Sequence, residues 1–202
     1  WNMFQLPESV ESACNVGCCG IDGCVSTLVG ASLVNPDRLY YVVVGDLTFF
    51  YDLNSLGNHH IGTNLRVMLV NNGRGTEFRL GIHHCNVFGD DADKYMAAAG
   101  HFGNKSPLLV KHYAEDLGFH YLSATTKEEF MTALSNFTNP QLSDHSMILE
   151  VFTDSKDESE ALYLMSHIQS DAKGMVRSKL KDAVRNVAGE KGINAIKKIL
   201  KK

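Results

Sequence analysis

Two short apolar runs, each closed by a polar signal, constrain this chain more than anything else in it. Leu39-Tyr40-Tyr41-Val42-Val43-Val44 runs into Gly45-Asp46-Leu47-Thr48, and Leu65-Arg66-Val67-Met68-Leu69-Val70 runs into Asn71-Asn72. Each run is short, rich in β-branched residues and free of regular polar alternation, so it reads as a strand buried on both faces. Between them Phe49, Leu53, Leu56 and His60 recur at helical spacing over Thr48 to His60, which predicts a crossover helix and a right-handed βαβ unit. In such a unit the C-terminal ends of neighbouring strands lie side by side, and ligands bind in the crevice beyond them. Asp46 and Asn72 are therefore expected on one rim. A carboxylate and an amide oxygen are hard ligands, suited to magnesium or calcium rather than zinc. N–H groups opening a helix after Asp46 favour phosphate at the same rim. A divalent metal gripping a diphosphate is the chemistry these residues imply.

The remaining chain keeps the same alternation. Glu11 to Val16 reads as a short strand entering the loop Gly17-Cys18-Cys19-Gly20, where Gly17, Gly20 and Gly23 permit a tight turn and close approach of a ligand. Asp22 stands at the N-cap position of a helix over Cys24 to Val34, and Asn35-Pro36-Asp37 reads as the turn that ends it. Gly73-Arg74-Gly75-Thr76 is a loop lacking the third glycine of a dinucleotide fingerprint, which weighs against a nicotinamide site. Gly81 to Lys105 reads as a surface excursion with a short helix at Ala92 to Ala99. A helix over Leu108 to Leu117 with Gly118 as its cap, a strand at Phe119 to Leu122, a helix from Thr126 through Phe137 and a last buried strand within Ser146 to Thr153 follow. The expected fold is α/β: an open parallel sheet with helices on both faces.

At 202 residues, 44% of them hydrophobic and 21% charged, the chain can bury a substantial core. No apolar run approaches the ~20 residues that span a bilayer, and no secretory pattern opens the chain. A start at Trp1 rather than Met reads as part of a longer polypeptide. The five cysteines are odd in number, and four crowd between Cys14 and Cys24 without a paired Cys-x-x-Cys. That points to a reducing, cytoplasmic setting. A zinc site joining them to His83, His84 and Cys85 matches no standard spacing.

Charge divides the chain. Residues 1–170 carry 9 basic against 20 acidic side chains, residues 171–202 carry 10 against 3, and the net is −4. This separates a domain over 1–170 from a basic helical tail over 171–202. In the tail Val176, Leu180, Val184 and Val187, then Ile193, Ile196 and Leu200, follow helical spacing, with Gly189 and Gly192 as interruptions. It reads first as an amphipathic extension packing on its own domain or a partner subunit. Contact with an anionic membrane surface or nucleic acid is the alternative. No nucleic-acid partner and no transmembrane segment are expected.

Taken together, the Gly-Asp and Asn-Asn motifs resemble the signature of thiamin-diphosphate enzymes. The string Gly45-Asp46-Leu47-Thr48-Phe49-Phe50-Tyr51-Asp52-Leu53-Asn54, with Gly20-Ile21-Asp22-Gly23 and Ser26-Thr27 upstream, is most similar to the 2-succinyl-5-enolpyruvyl-6-hydroxy-3-cyclohexene-1-carboxylate synthases of menaquinone biosynthesis. The likeness runs from Cys14 to Thr153. It implies the C-terminal, diphosphate-binding domain of a transferase or lyase that decarboxylates a 2-oxo acid and passes the resulting carbanion to an acceptor. Thiamin diphosphate and Mg2+ are the implied cofactors. Asp46 and Asn72 would give the metal side-chain oxygens and Arg74 its backbone carbonyl, with diphosphate and water completing the shell. Cofactor contacts are implied for Cys19, Gly20, Ile21, Gly45, Asp46, Leu47, Thr48, Asn72, Arg74 and Gly75. Among these Ile21 would prop the bent cofactor, the Cys19 carbonyl and Ile21 N–H would hold its aminopyrimidine, and Thr48 would meet a phosphate oxygen. Asp46 as a plain N-cap and Ile21 as plain core are the alternatives.

The resemblance also sets limits. The activating glutamate of this family comes from a separate pyrimidine-binding domain, expected upstream in the parent chain. No catalytic residue is expected here, and the chain alone should be inactive. A homodimer or homotetramer is implied. Val16 stands where these synthases carry an arginine that grips a substrate carboxylate, a clamp no apolar residue provides. Arg74 replaces a glycine; with Arg79 it reads first as one of two plain surface arginines, and restoration of positive charge is the alternative. His59, His60, His83, His84 and His101 offer proton carriers near the rim, but they read mostly as plain surface or core histidines and none is assigned a role. A diverged thiamin-diphosphate lyase with another substrate, or a non-catalytic interaction module on the same fold, are the competing readings.

Overall fold

In the computed structural model, residues 6–14, 20–80, 83–96 and 106–167 are described. The chain divides into two compact units after Ser155. The first is built on four strands, β1 (Tyr40–Gly45), β2 (Leu65–Asn71), β3 (His120–Ala124) and β4 (Met147–Phe152). All pair in parallel, in the order β1-β2-β4-β3. Tyr40 lies opposite Leu65 and Gly45 opposite Val70, so the ends of β1 and β2 are level.

Among the described residues of this unit are the α-helices α1 (Cys24–Ser32), α2 (Asp46–Tyr51), α3 (Ala92–Tyr95), α4 (Leu109–Asp116) and α5 (Lys127–Phe137). Alternate residues of each strand face opposite layers. On one face Val25 and Val29 of α1, Phe49 of α2, and Val110 and Ala114 of α4 pack against Val44, Leu65, Val67, Leu69 and Ile148. On the other, Ala133 and Phe137 of α5 cover Met147 and Leu149. Fully burying one such aliphatic or aromatic side chain contributes about 1.5–3 kcal/mol, so the two layers, rather than helix propensity, hold the sheet. The expected parallel α/β sheet with helices on both faces is what the chain forms.

Several local expectations are corrected. Glu11 to Cys14 is exposed and outside any strand, while Val16 lies outside the described residues. Asp22 does not cap α1. Gly23 holds that position in the left-handed region (φ 78°), without a side-chain bond, and the Ser26 N–H instead donates to Asp52 Oδ2 at 2.6 Å. The single crossover helix over Thr48 to His60 is broken. α2 stops at Asp52 (φ −120°), and a 3-10 turn over Leu53–Gly57 follows. Between β2 and α4 lie 3-10 turns at Thr76–Arg79 and His84–Asp91. α3 ends at Tyr95, because Met96 is extended (φ −118°, ψ 102°), and residues 97–105 lie outside the described residues.

Two termini follow sequence rules closely. Gly118 (φ 80°) closes α4, with its N–H on the Glu115 carbonyl and the Phe119 N–H on that of Ala114, a Schellman pattern. Thr126 and Glu129 form a reciprocal capping box on α5. The second unit begins at Lys156 and contains nearly all of α6 (Ser155–His167), whose first turn carries Asp157 and Glu158. The expected boundary at residue 170 and the basic tail beyond it lie outside the described residues.

Candidate functional site

The C-terminal ends of β1 and β2 carry the two signals. Gly45 is the last residue of β1 and Asp46 the first of α2, with its side chain buried (2% exposed). Asp46 Oδ1 accepts the Leu47 N–H at 2.8 Å, which takes up one of the N–H groups expected to face phosphate. Because α2 has only six residues, little macrodipole stands behind this rim. Thr48 is half-buried in the same turn.

The Asn-Asn pair divides its labour. Asn71 ends β2, whereas Asn72 opens the turn after it. Asn72 Nδ2 donates to Thr76 Oγ1 at 2.8 Å, and Asn72 Oδ1 accepts the Arg74 N–H at 3.1 Å. The Arg74 carbonyl accepts the Thr76 N–H at 3.1 Å. Gly73 turns through φ 78°, where an L side chain is strained, and Gly75 follows at the head of the Thr76–Arg79 turn. These contacts orient the Asn72 and Arg74 oxygens.

Upstream, Gly20 and Ile21 are half-buried in the loop before α1, while Cys19 lies outside the described residues. Adding a Cβ to Gly20 would bring it within 3.0 Å of Asp22 Oδ1. Among the described residues, Ile21 is not one of those that pack in either core cluster.

One group on this rim was missed by sequence reasoning. Glu150 of β4 is 1% exposed, and Asn71 Nδ2 donates to its Oε1 and the Tyr121 hydroxyl to its Oε2, both at 2.7 Å. Burial pushes the Glu150 carboxyl above the usual carboxylate range. The bonds from Tyr121 and Asn71 pull it down, and the charge of Asp46 pushes it up again. Burial and the bond to Glu150 raise the Tyr121 phenol strongly, so it acts as a donor. The signal was legible: one acid inside the apolar run Met147-Ile148-Leu149-Glu150-Val151-Phe152 is a charge that must be paired or hydrogen-bonded.

The histidines separate. His59 and His60, with rings 3.8 Å apart, precede β2, at the end of the sheet away from this rim. There His59, Asn58, Thr63, Asp144 and His145 help line a cavity of about 360 Å3. His83 Nδ1 accepts the Cys85 N–H at 3.1 Å. His101 lies outside the described residues. Cys14 is exposed and Cys24 and Cys85 are half-buried, all as thiols. Among the described residues no group of three or more His, Cys, Asp or Glu could hold a metal. One carboxylate with amide and backbone oxygens is a donor set of another kind, fitting a cation that keeps phosphate and water in its shell. No helix among the described residues is long and apolar enough to cross a membrane.

No family model matches the chain. Curated relatives do. The chain is 35% identical over 160 residues to 2-succinyl-5-enolpyruvyl-6-hydroxy-3-cyclohexene-1-carboxylate synthase from Bacteroides fragilis. It is 34% identical over 160 residues to that of Bacteroides thetaiotaomicron, and 35% over 163 residues to that of Phocaeicola vulgatus. Each alignment takes in 79% of this chain but 27% of the relative, so the chain spans about a quarter of their length.

Proposed function

We propose, on the premise that this chain is homologous to part of the 2-succinyl-5-enolpyruvyl-6-hydroxy-3-cyclohexene-1-carboxylate synthases, thiamin-diphosphate-dependent enzymes of menaquinone biosynthesis, that it is their diphosphate-binding domain. The observation carrying this reading is the level pairing of β1 and β2, with Gly45 opposite Val70. Asp46 and the Asn72 turn therefore follow adjacent strand ends.

Asp46 and Asn72 would hold Mg2+ through side-chain oxygens and Arg74 through its carbonyl. Thr48 and the Gly73-Arg74-Gly75 backbone would face the diphosphate. Gly20 and Ile21, with Cys19, would bind the organic half, and Ile21 would set its bend. When bound, thiamin diphosphate supplies the carbon nucleophile that lets a 2-oxo acid lose its carboxylate and join an acceptor. This chain's residues anchor and orient, and Gly45 allows close approach. Nothing fills the 4 Å around a Cβ built there.

The activating carboxylate belongs to a pyrimidine-binding domain elsewhere in the parent protein, and the chain alone turns over little. A covering domain is also supported by the sheet. Tyr41 and Val43 of the edge strand β1 are 44% and 54% exposed, whereas parallel sheets are ordinarily covered on both faces. Val16, in place of a carboxylate-gripping arginine, favours a second reading: a relative in the same cofactor class acting on a different acid.

Calorimetry of the full-length protein with thiamin diphosphate and Mg2+ tests the assignment. Metal-dependent binding that Asp46→Ala abolishes is the expected result. Affinity unchanged by that substitution would instead make the chain an interaction module on the same fold.

A further inference from the structure

We propose that Glu150 is a positioning residue that acts through Asn71 to fix the turn presenting the Asn72 and Arg74 oxygens to a divalent cation. This rests on the reading above. Glu150 is buried and leaves the Asn72 turn to Asn71. Its place in the site comes from the relay it starts.

Both ends of the Asn71 amide are committed. Nδ2 donates to Glu150 Oε1 at 2.7 Å, and Oδ1 accepts the Gly73 N–H at 3.2 Å. The Asn71 backbone carbonyl meanwhile accepts the Thr153 N–H at 3.0 Å, which ties the strand end to the segment after β4. An amide can turn over by half a rotation and exchange its oxygen and nitrogen. A carboxylate only accepts, so Glu150 requires Nδ2 on its own side and leaves Oδ1 for Gly73. Turned over, Asn71 would set an NH2 group against the Gly73 N–H, donor against donor.

Gly73 is the residue whose positive φ reverses the chain. Holding its N–H sets where Asn72 leaves the strand. The Asn72 bonds to Thr76 and Arg74 then complete the turn. Tyr121 holds the far carboxylate oxygen at 2.7 Å and so fixes the plane of Glu150. An apolar residue at 150 would suit an otherwise apolar strand better, since a buried acid is costly. Its presence is accounted for by the polarity it imposes on Asn71.

The test is Mn2+ affinity in the full-length protein with thiamin diphosphate, read by electron paramagnetic resonance, with thermal unfolding recorded for each variant. Glu150→Ala should weaken Mn2+ about tenfold, the scale of losing a hydrogen bond to a charged group. It should add little further loss in an Asn71→Ala background, because the two act in series. Asn71→Asp should also weaken Mn2+, by setting carboxylate against carboxylate. Combined with Glu150→Gln it should recover to within about threefold of wild type, since donor and acceptor are merely exchanged across the pair. This swap carries the test if Glu150→Ala does not fold.

Wild-type affinity in Glu150→Ala, additive losses, or no recovery in the swapped pair would overturn the proposal. A wild-type protein that binds neither Mn2+ nor cofactor removes the functional reading and this inference together. Wild-type binding with an indifferent Glu150→Ala removes only the inference.

Discussion

Asn64 offers the sharpest test of how the sheet is held. Its side chain is buried (2% exposed), and Nδ2 donates to the Ser32 and Arg38 carbonyls at 3.1 Å and to that of Asn35 at 3.4 Å. Its own carbonyl accepts the Tyr40 N–H at 2.9 Å. The side-chain amide thus joins the end of α1 and the following turn to the residue before β2, while the backbone carbonyl reaches the start of β1. Asn64→Ala removes two good hydrogen bonds, each worth about 1 kcal/mol net, and leaves the buried Ser32 carbonyl short of a donor at about 1–3 kcal/mol, for a loss of about 3–5 kcal/mol. Asn64→Asp sets a carboxyl against the same carbonyls, which raises its folded pKa above the unfolded value of about 3.9. Below that value both states are protonated, and the carboxyl O–H still serves one of these carbonyls, so the loss should be smaller than that of the alanine variant. Above it the folded state keeps a proton that the unfolded state releases. Stability should then fall by about 1.4 kcal/mol per pH unit until the folded pKa is passed. Urea midpoints between pH 4 and 8, with unchanged m-values, measure this. An Asn64→Asp profile parallel to wild type, or an alanine variant within about 0.5 kcal/mol of it, would refute the reasoning.

Three further outcomes follow from single sites. Gly118→Ala should cost about 1–2 kcal/mol in urea unfolding: nothing lies within 4 Å of the added Cβ, so the penalty is backbone strain at φ 80° alone. Phe49→Ala, at a fully buried side chain in the turn after Asp46, should cost about 3–5 kcal/mol, and a loss below about 1 kcal/mol would mean that the site collapses to fill the gap. Glu129 is held below the usual carboxylate range by the Thr125 hydroxyl and the Thr125 and Thr126 N–H groups. Its contribution should be present above the unfolded pKa and vanish as pH falls through the folded one, so Glu129→Gln and wild type should differ at neutral pH and converge in acid.

β2 and β4 were legible because a parallel strand covered on both faces is a continuous apolar run; β1 is also such a run, but the expected burial of both its faces fails, since Tyr41 and Val43 stay exposed. The capping box at Thr126 and the cap at Gly118 were legible because both are settled within one turn of chain. What depended on distant partners was not. Phe49, Leu53, Leu56 and His60 keep helical spacing, yet the helix breaks at Asp52, whose carboxylate serves the Ser26 N–H of α1 instead. That use of Asp52 also explains why Asp22 is not required as a cap. Glu11 to Cys14 lies outside any strand, in keeping with a composition that lacks the β-branched and aromatic residues strands favour. His59 and His60 precede a strand whose far end carries the candidate site, which sequence spacing alone does not reveal. Asn71 was read only as a companion of Asn72, since its partner Glu150 lies 79 positions away in sequence.

β2 is bolted by buried polar side chains at both ends, and the two ends do different things. At its start the Leu65 N–H donates to Ser146 Oγ, Ser146 Oγ donates to the Gly62 carbonyl, and the Arg66 guanidinium donates to the carbonyls of Thr63 and Leu65 and to Ser143 Oγ. Burial lowers the Arg66 pKa against the pull of Tyr41, and its Nε finds no partner among the described residues. The bonds there go mostly to backbone groups and close the connections on themselves. At the C-terminal end Glu150 takes Asn71, Asn71 takes the Gly73 N–H, and Asn72 takes the Arg74 N–H, so side chains set the path of a short turn. A fold that needed only stability could end both strands in the first way. Ending β2 in the second shapes backbone and amide oxygens beside a buried carboxylate, and that end is where the sheet offers a ligand its crevice.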